Sequence, residues 1–183
     1  MPKIEVVRGD LTLENTDAIV NAANETLFGG GGVDGAIHRA GGPAILAECK
    51  DLRRTSYPDG LPTGAAVATT AGDMPMQVVI HTVGPRAWEH RDGGAELLAA
   101  CHRNSLDVAN DLGFRSVAFP AISCGVYGWS VHDAAPIAIA TVREWFAAHP
   151  GSSVDVVRFV MFSEEAREAF AEAFAEACGT HGQ

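Results

Sequence analysis

Asp34 and His38 stand four residues apart where helical composition resumes, Val33 to Gly42, so both side chains share one helix face. The carboxylate falls at the positive N-terminal end, which should keep Asp34 ionised and therefore a weak base, able to orient or deprotonate a water beside a reactive carbon. The same pair also reads as an N-cap and a satisfied interior histidine. Just upstream, Gly30-Gly31-Gly32-Val33-Asp34-Gly35 is a literal G-x-G-x-x-G, whose bare amides beside a helix start suit a diphosphate. Alone, the block reads equally as a flexible glycine turn. A dinucleotide fingerprint would begin where the strand ends, whereas Asn24 to Gly29 intervene and no clean second βαβ half follows. No Gly-Lys-Ser or Gly-Lys-Thr occurs, which excludes the phosphate loop of nucleotide hydrolases.

A second glycine-bearing turn, Ser123-Cys124-Gly125-Val126-Tyr127-Gly128, precedes Ser130, which is placed to cap the next helix. Two such turns can clasp one diphosphate through the amides of Gly125 to Tyr127, a device suited to an acidic chain, while Tyr127 offers an aromatic face to a ribose. Cys124 reads either as a nucleophile or as a small buried thiol; no adjacent His-Asp pair in the sequence supports the first. Asn21-Ala22-Ala23-Asn24 ends a strand with two amides, which bond sugar hydroxyls or terminate the strand by side-chain turns. Asp10 after the first strand can accept from an exocyclic amine, and Phe162 after the last can stack on a base, though each also reads as ordinary turn or core. His81, His102 and His132 fall on a strand and two helices and are assigned to packing or surface roles.

These residues need a scaffold. Ile4 to Val7, Ala18 to Ala22, Ala65 to Thr70, Val78 to Val83, Ser116 to Pro120 and Val154 to Phe162 read as strands. Between them lie helical stretches: Val33 to Gly42, Pro43 to Leu52, a stripe of Leu98, Cys101, Ser105, Val108 and Leu112, a stripe of Ala134, Ile137, Ala138, Thr141 and Trp145, and a closing stripe of Ala166, Phe170, Ala173, Phe174 and Ala177. Arg53 to Gly64, with two prolines and Asp59-Gly60, reads as a surface loop. Strands apolar on both faces and alternating with helices indicate an α/β domain, a three-layer α/β/α sandwich with a central mixed, largely parallel sheet. Ligands bind beyond the carboxyl ends of such strands, where both unusual loops lie. One domain over 1–178 with a flexible tail over 179–183 fits the pattern.

Composition limits the partners. Thirteen Lys plus Arg against twenty-three Asp plus Glu give a net charge of −10, which disfavours sequence-independent binding along a duplex. With 47% hydrophobic and 20% charged residues in 183, the chain is a globular one. No apolar run approaches a bilayer span, and the N-terminus lacks the apolar core of a secretion signal, so the expected setting is the cytoplasm with no membrane partner. Cys49, Cys101, Cys124 and Cys178 lack C-x-x-C spacing and are expected to be free thiols, with no metal site.

In order and spacing, Gly9-Asp10-Leu11, Asp17 to Asn24, the string Gly29 to Pro43, Pro62-Thr63-Gly64, His81 to Pro85 and Pro120 to Gly128 resemble the macrodomain family over nearly the whole chain. The likeness is to its MacroD-type branch, ADP-ribose hydrolases that remove mono-ADP-ribose from acidic side chains and deacetylate O-acetyl-ADP-ribose. It implies that Asp10 and Phe162 hold adenine, that Gly32, Val33 and Gly125, Val126 and Tyr127 hold the diphosphate and distal ribose, and that Leu11, Asn21, Ser123 and Cys124 join this ligand set. Asn24, Asp34 and His38 match the catalytic positions: Asn24 fixing ribose hydroxyls, Asp34 handling water with a share for substrate phosphate, His38 holding Asp34 and its loop. No metal or cofactor is implied. The implied partners are ADP-ribose and mono-ADP-ribosylated proteins acted on by a monomer, with ADP-ribosylated nucleic-acid ends as a secondary substrate. Cys124 stands where many relatives carry Thr, Tyr127 where others carry Phe, Gly41-Gly42 where Ala-Gly is usual, and the Arg53 to Leu61 segment is longer than common. A reader module that binds ADP-ribose without turnover is the main alternative, and a dinucleotide-dependent oxidoreductase a remote third.

Overall fold

Strands without a polar face need cover on both sides, and the computed structural model, which describes residues 1–90 and 92–179, supplies it as a three-layer α/β/α sandwich. β1 (Lys3–Arg8), β2 (Ala18–Ala23), β3 (Ala66–Thr70), β4 (Val78–Val83), β5 (Ser116–Phe119) and β6 (Val156–Met161) form one sheet in the order β1-β6-β5-β2-β4-β3. Only the β3–β4 pairing is antiparallel, so the sheet is mixed and largely parallel. α1 (Gly32–Gly41) and α2 (Pro43–Thr55) cover one face; α3 (Gly94–Asp111), α4 (Val131–Ala148) and α5 (Glu164–Gly179) cover the other.

Alternation along β2 sorts two cores. Ala18 and Val20 join Phe119, Phe159, Trp145 and Phe170 on the three-helix side, whereas Ile19 and Ala23 join Ile37, Ile45 and Cys49 on the other. Pro43 starts α2, where its missing N–H is harmless, and the Ser130 side chain accepts from Asp133 N to cap α4. All four cysteines are free thiols.

The β2–β5 junction positions the site. At its lower end the Asp17 carboxylate accepts from the backbone N–H groups of Arg115 (2.8 Å) and Ser116 (3.1 Å) and ties the strands together. The ladder then holds for only two pairs, Ala18 with Val117 and Ile19 with Ala118, while β2 pairs with β4 over its whole length. Beyond Ile19 and Ala118 the two chains are free to diverge into loops, and a crevice opens at the carboxyl ends of the strands.

Three expectations shift. The helix read over Pro43 to Leu52 continues to Thr55. Leu112, counted in a buried stripe, is 49% exposed, because α3 ends at Asp111 and Leu112 falls past its last turn. Gly179, assigned to the tail, closes α5, and 180–183 lie outside the described residues. Among the described residues no helix is long and apolar enough to cross a membrane.

Candidate active site

The crevice encloses about 690 Å³, within the range of small-ligand pockets, and is lined by Asp10, Leu11, Gly32, Val33, Cys124, Gly125 and Phe162 among others. Its outer end is built simply. Asp10 caps the 3-10 turn Leu11–Leu13, its Oδ1 accepting from Thr12 N (2.9 Å) and Thr12 Oγ1 (2.7 Å), which orients the carboxylate at the rim. Phe162, one residue past β6, is 91% exposed, so the core reading of this residue does not hold. An aromatic ring that exposed beside an apolar cleft is a platform for a planar ligand.

Two glycine turns form the middle. α1 starts from Gly31 with no side-chain cap bond, and Gly32 has φ +59°, a backbone shape that favours glycine. Opposite, Ser123 holds φ +67°, a strained conformation for a residue with a side chain, and its buried Oγ has no partner. Gly84 permits this turn, since a Cβ there would lie 2.1 Å from Ser123 Oγ. Cys124 lines the cleft as an inert thiol: its Sγ donates to Ile122 O (3.5 Å), and burial pushes it up to about 12. Val126 is exposed on the same turn.

Asp34 does not line the crevice itself; it follows the lining residues Gly32 and Val33 on α1, lies behind that wall under Gly30, and forms the inner region of the site. It is 5% exposed and accepts from Asn21 Nδ2 at 2.8 Å. His38 Nε2 lies 3.4 Å from the same oxygen without making a hydrogen bond, and so acts as an electrostatic neighbour rather than a tether. Gly30 crosses directly over the carboxylate, where a Cβ would come within 3.2 Å of Asp34 Oδ2 and 3.4 Å of Asn24 Nδ2. Gly35 lets α1 approach that strap; its Cβ would sit 2.6 Å from Gly30 O. Burial, the dominant influence, raises the Asp34 pKa, opposed by the Asn21 hydrogen bond and by His38. The sequence expectation of a weakly basic Asp34 thus meets an opposite direction, because loss of water outweighs the Asn21 hydrogen bond and His38.

One of the two amides takes a different place from that expected, and the other also shapes its loop. Asn21 is fully buried and faces Asp34, so it belongs to the carboxylate's support and not to the ligand-binding wall. Asn24 Nδ2 donates to Gly29 O (2.9 Å) and its Oδ1 accepts from Thr26 N (3.0 Å), which holds the loop closed around Asp34.

Sequence reasoning missed two further groups. Arg86 Nη2 donates to Glu25 Oε2 (2.8 Å) and to Tyr127 OH (3.3 Å), and its guanidinium lies 4.7 Å from the Tyr127 ring centre. It clasps the loops after β2 and β5 together and holds Tyr127, whose hydroxyl pKa is raised chiefly by burial, with the Arg86 cation opposing. His81, assigned to packing, is fully buried and bonded to Asn21. A histidine inside the otherwise apolar Val78–Val83 strand was the available signal, since a buried polar group must find a partner.

The comparisons with known proteins agree with this architecture. Residues 20–138 match the Macro domain family. An O-acetyl-ADP-ribose deacetylase of Cronobacter sakazakii is 49% identical over 163 residues, covering 89% of this chain and 88% of that protein. Human ADP-ribose glycohydrolase MACROD2 is 49% identical over 88% of this chain and 37% of its own length. A solved mutant of the Oceanobacillus iheyensis macrodomain with ADPR gives a TM-score of 0.91 at 41% identity, covering 96% of this chain and 94% of that one.

Proposed function

The chain belongs to the Macro domain family, and on that premise we propose that it is a hydrolase that frees ADP-ribose from carboxylate esters: mono-ADP-ribosylated Glu and Asp side chains and O-acetyl-ADP-ribose. The observation that carries the reading is Asp34, a buried carboxylate whose pKa burial raises, placed directly after Gly32 and Val33 in the wall of a nucleotide-sized cleft that also presents Asp10 and the exposed Phe162. A ligand with its base on Phe162 and its diphosphate between the two glycine turns directs its distal ribose toward Asp34. A module that only binds needs no carboxylate there.

In the proposed reaction a water held by Asp34 adds to the anomeric carbon of that ribose, or to the acyl carbon of an O-acetyl ester. The bond to the departing oxygen breaks with its electron pair, and the water's proton passes to Asp34 or to a substrate phosphate oxygen. At the anomeric carbon a protein carboxylate leaves readily, so no strong general acid is required; at the acyl carbon the departing ribose oxygen takes up the proton that the water gave to Asp34 or to the phosphate, which leaves acetate and ADP-ribose. Serine ethers and arginine guanidines have poorer leaving groups and are expected to be turned over slowly. Discrimination among esters falls to Tyr127 and Trp129 and to the loop after α2, which Arg53 ties down through Tyr57 O (2.9 Å) and Thr26 O (3.0 Å). An ADP-ribosylated terminal phosphate on nucleic acid also has an anionic leaving group and is a secondary substrate, bound weakly because of the −10 charge.

The test incubates one enzyme batch with glutamate-linked and serine-linked mono-ADP-ribosylated protein and measures released ADP-ribose by mass spectrometry. Release from glutamate and little from serine is expected. Tight ADP-ribose binding without release from any substrate would make the protein a reader.

A further inference from the structure

The Asn21 amide points its NH2 group at Asp34, and a row of polar groups running beneath the sheet accounts for why. β2, β4 and β3 are neighbours; Asn21 stands in register with His81, and Thr69 pairs with Val79, two residues before His81 on the same strand. All three side chains are buried on the face under α1 and α2. Asn21 Nδ2 has two hydrogens: one goes to Asp34 Oδ1 at 2.8 Å, the other to His81 Nδ1 at 3.1 Å. His81 Nε2 lies 2.8 Å from Thr69 Oγ1, and Thr69 Oγ1 donates to Thr70 O at 3.0 Å.

We propose that Thr69 and His81 are positioning residues that, by fixing the direction of this hydrogen-bond row, hold the Asn21 NH2 toward Asp34 and so keep the Asp34 carboxylate available as a base. The direction is set at the far end. The Thr69 hydroxyl donates its one hydrogen to Thr70 O, a backbone carbonyl that can only accept, and in that arrangement its oxygen accepts from His81 Nε2–H; the opposite direction requires the hydroxyl to leave Thr70 O. His81 then carries its single proton on Nε2 and offers the Nδ1 lone pair to Asn21. Both amide hydrogens are thereby used, one of them on Asp34. Burial pushes His81 down to about 3, so the ring stays neutral and the row does not titrate in the working range. Cys49 Sγ, 4.0 Å from Nε2, is a thiol pushed up to about 12, chiefly by burial, and too weak an acceptor to replace Thr69.

The row has one other self-consistent direction. With the proton on Nδ1, His81 would donate to a flipped Asn21 whose Oδ1 then faces Asp34, which must itself be protonated to donate. The tautomer of His81 is thus linked to the proton on Asp34. In the observed direction Asn21 Oδ1 is buried with no partner, so the amide is not oriented by its oxygen, and the contacts of its NH2 decide the matter. Among the described residues, the other titratable groups that interact with Asp34 are His38 from α1, Cys49 from α2 and Tyr127 from the loop after β5; of these, Cys49 also reaches the row, at His81 Nε2.

The inference rests on Asp34 being the base, and its test separates the two. Long-range proton–nitrogen NMR on labelled wild-type protein reads the His81 tautomer directly, with Nε2 bearing the proton as the expected result; an Nδ1 proton overturns the proposal with no activity assay and no variant. Thr69→Val removes the hydroxyl at constant shape, and Thr69→Ala removes it without the branched bulk. In either, the Asp34 carboxyl carbon titrates about one pH unit higher, and the acid limb of kcat moves with it, about tenfold in rate on that limb. ADP-ribose Kd is unchanged, and Thr69→Ser restores both the limb and the tautomer. A carboxyl titration that does not move in the folded variants refutes the coupling. A moved titration in a protein without turnover keeps the coupling and refutes only the hydrolase reading.

Discussion

At the outer end of the cleft the Phe162 ring is 91% exposed and Asp10 meets its neighbours through one local cap, whereas in the inner region Asp34 is 5% exposed and meets Asn21 from β2 and His38 from its own helix. The outer end can be altered one side chain at a time because little else depends on it. The inner region holds a carboxylate away from water under Gly30, where a side chain would press on it, and keeps the Asn21 amide oxygen without a partner among the described residues. Exposed groups of the first kind contribute affinity, and a desolvated, hydrogen-bonded set of the second kind contributes reactivity. Affinity and turnover should therefore separate by position along one cleft.

The sharpest break is expected from Asp34→Asn. Removal of a general base lowers kcat by about 10²- to 10⁴-fold, while calorimetric ADP-ribose affinity changes little. Stability moves the opposite way. Burial raises the Asp34 pKa in the folded chain, so its favourable contribution is present below the unfolded carboxylate value and is lost as pH rises through the folded one. At pH 7 the neutral amide should melt at a higher temperature than wild type, and the gain should shrink toward about pH 4. Equal loss of binding and turnover would erase the distinction between the two ends.

Phe162→Ala tests the other end. Loss of a stacking ring weakens ADP-ribose binding by about 1–3 kcal/mol, roughly 5- to 150-fold in Kd. Saturating kcat should stay within about twofold, since the ring makes no interaction particular to the transition state. The melting temperature should not fall, because an exposed ring contributes little packing. A drop in kcat matching the loss of affinity would show that the base platform also sets the geometry at Asp34.

The same contrast explains what the sequence disclosed. Strands, the two glycine turns and Asp34 were legible because each is written in a run of neighbouring residues: period, punctuation or a four-residue spacing. Phe162 and Asp10 were legible as single residues at strand ends. The support of Asp34 was not, because Thr69, His81 and Asn21 sit on three strands whose adjacency depends on the order β2-β4-β3. The direction of the Asp34 shift was missed for a related reason: the helix start is visible locally, but the burial that raises the pKa comes from the whole fold. The Arg86 clasp likewise joins residues 25, 86 and 127, which no window contains.

Buried histidines give a smaller, graded effect. His81 is pushed down to about 3 and His102 to about 4, both chiefly by burial. Each group therefore contributes stability that is present above the ordinary histidine value, about 6.5, and is lost as pH falls toward the folded values. Melting temperature should decline steadily as pH is lowered from 7 to 4.5, and Phe162→Ala should leave that slope unchanged. Wild-type melting that is flat across this interval would mean that neither ring is held neutral in the folded state.

The smallest effect is expected where the two ends meet, at the Arg86 clasp. Arg86 is linked to Glu25, Glu89 and the Tyr127 ring, but its side chain is 24% exposed and those of Glu25 and Glu89 about half exposed (49% and 48%), so water screens each ion pair. Tyr127→Phe removes only a 3.3 Å hydrogen bond and keeps the stacked guanidinium, so kcat/KM should stay within about threefold, a shift of under 1 kcal/mol. Arg86→Leu removes the cation from the ring and unties Glu25 as well; at about 1 kcal/mol for a half-exposed contact, kcat/KM falls about fivefold. Because the loss comes from loop positioning and not from proton transfer, the pH profile keeps its shape and wild type at high salt moves part of the way toward the variant. An Arg86→Leu enzyme as impaired as Asp34→Asn, or one with a displaced acid limb, would place the guanidinium within the reacting set and extend the inner region of the cleft to include it.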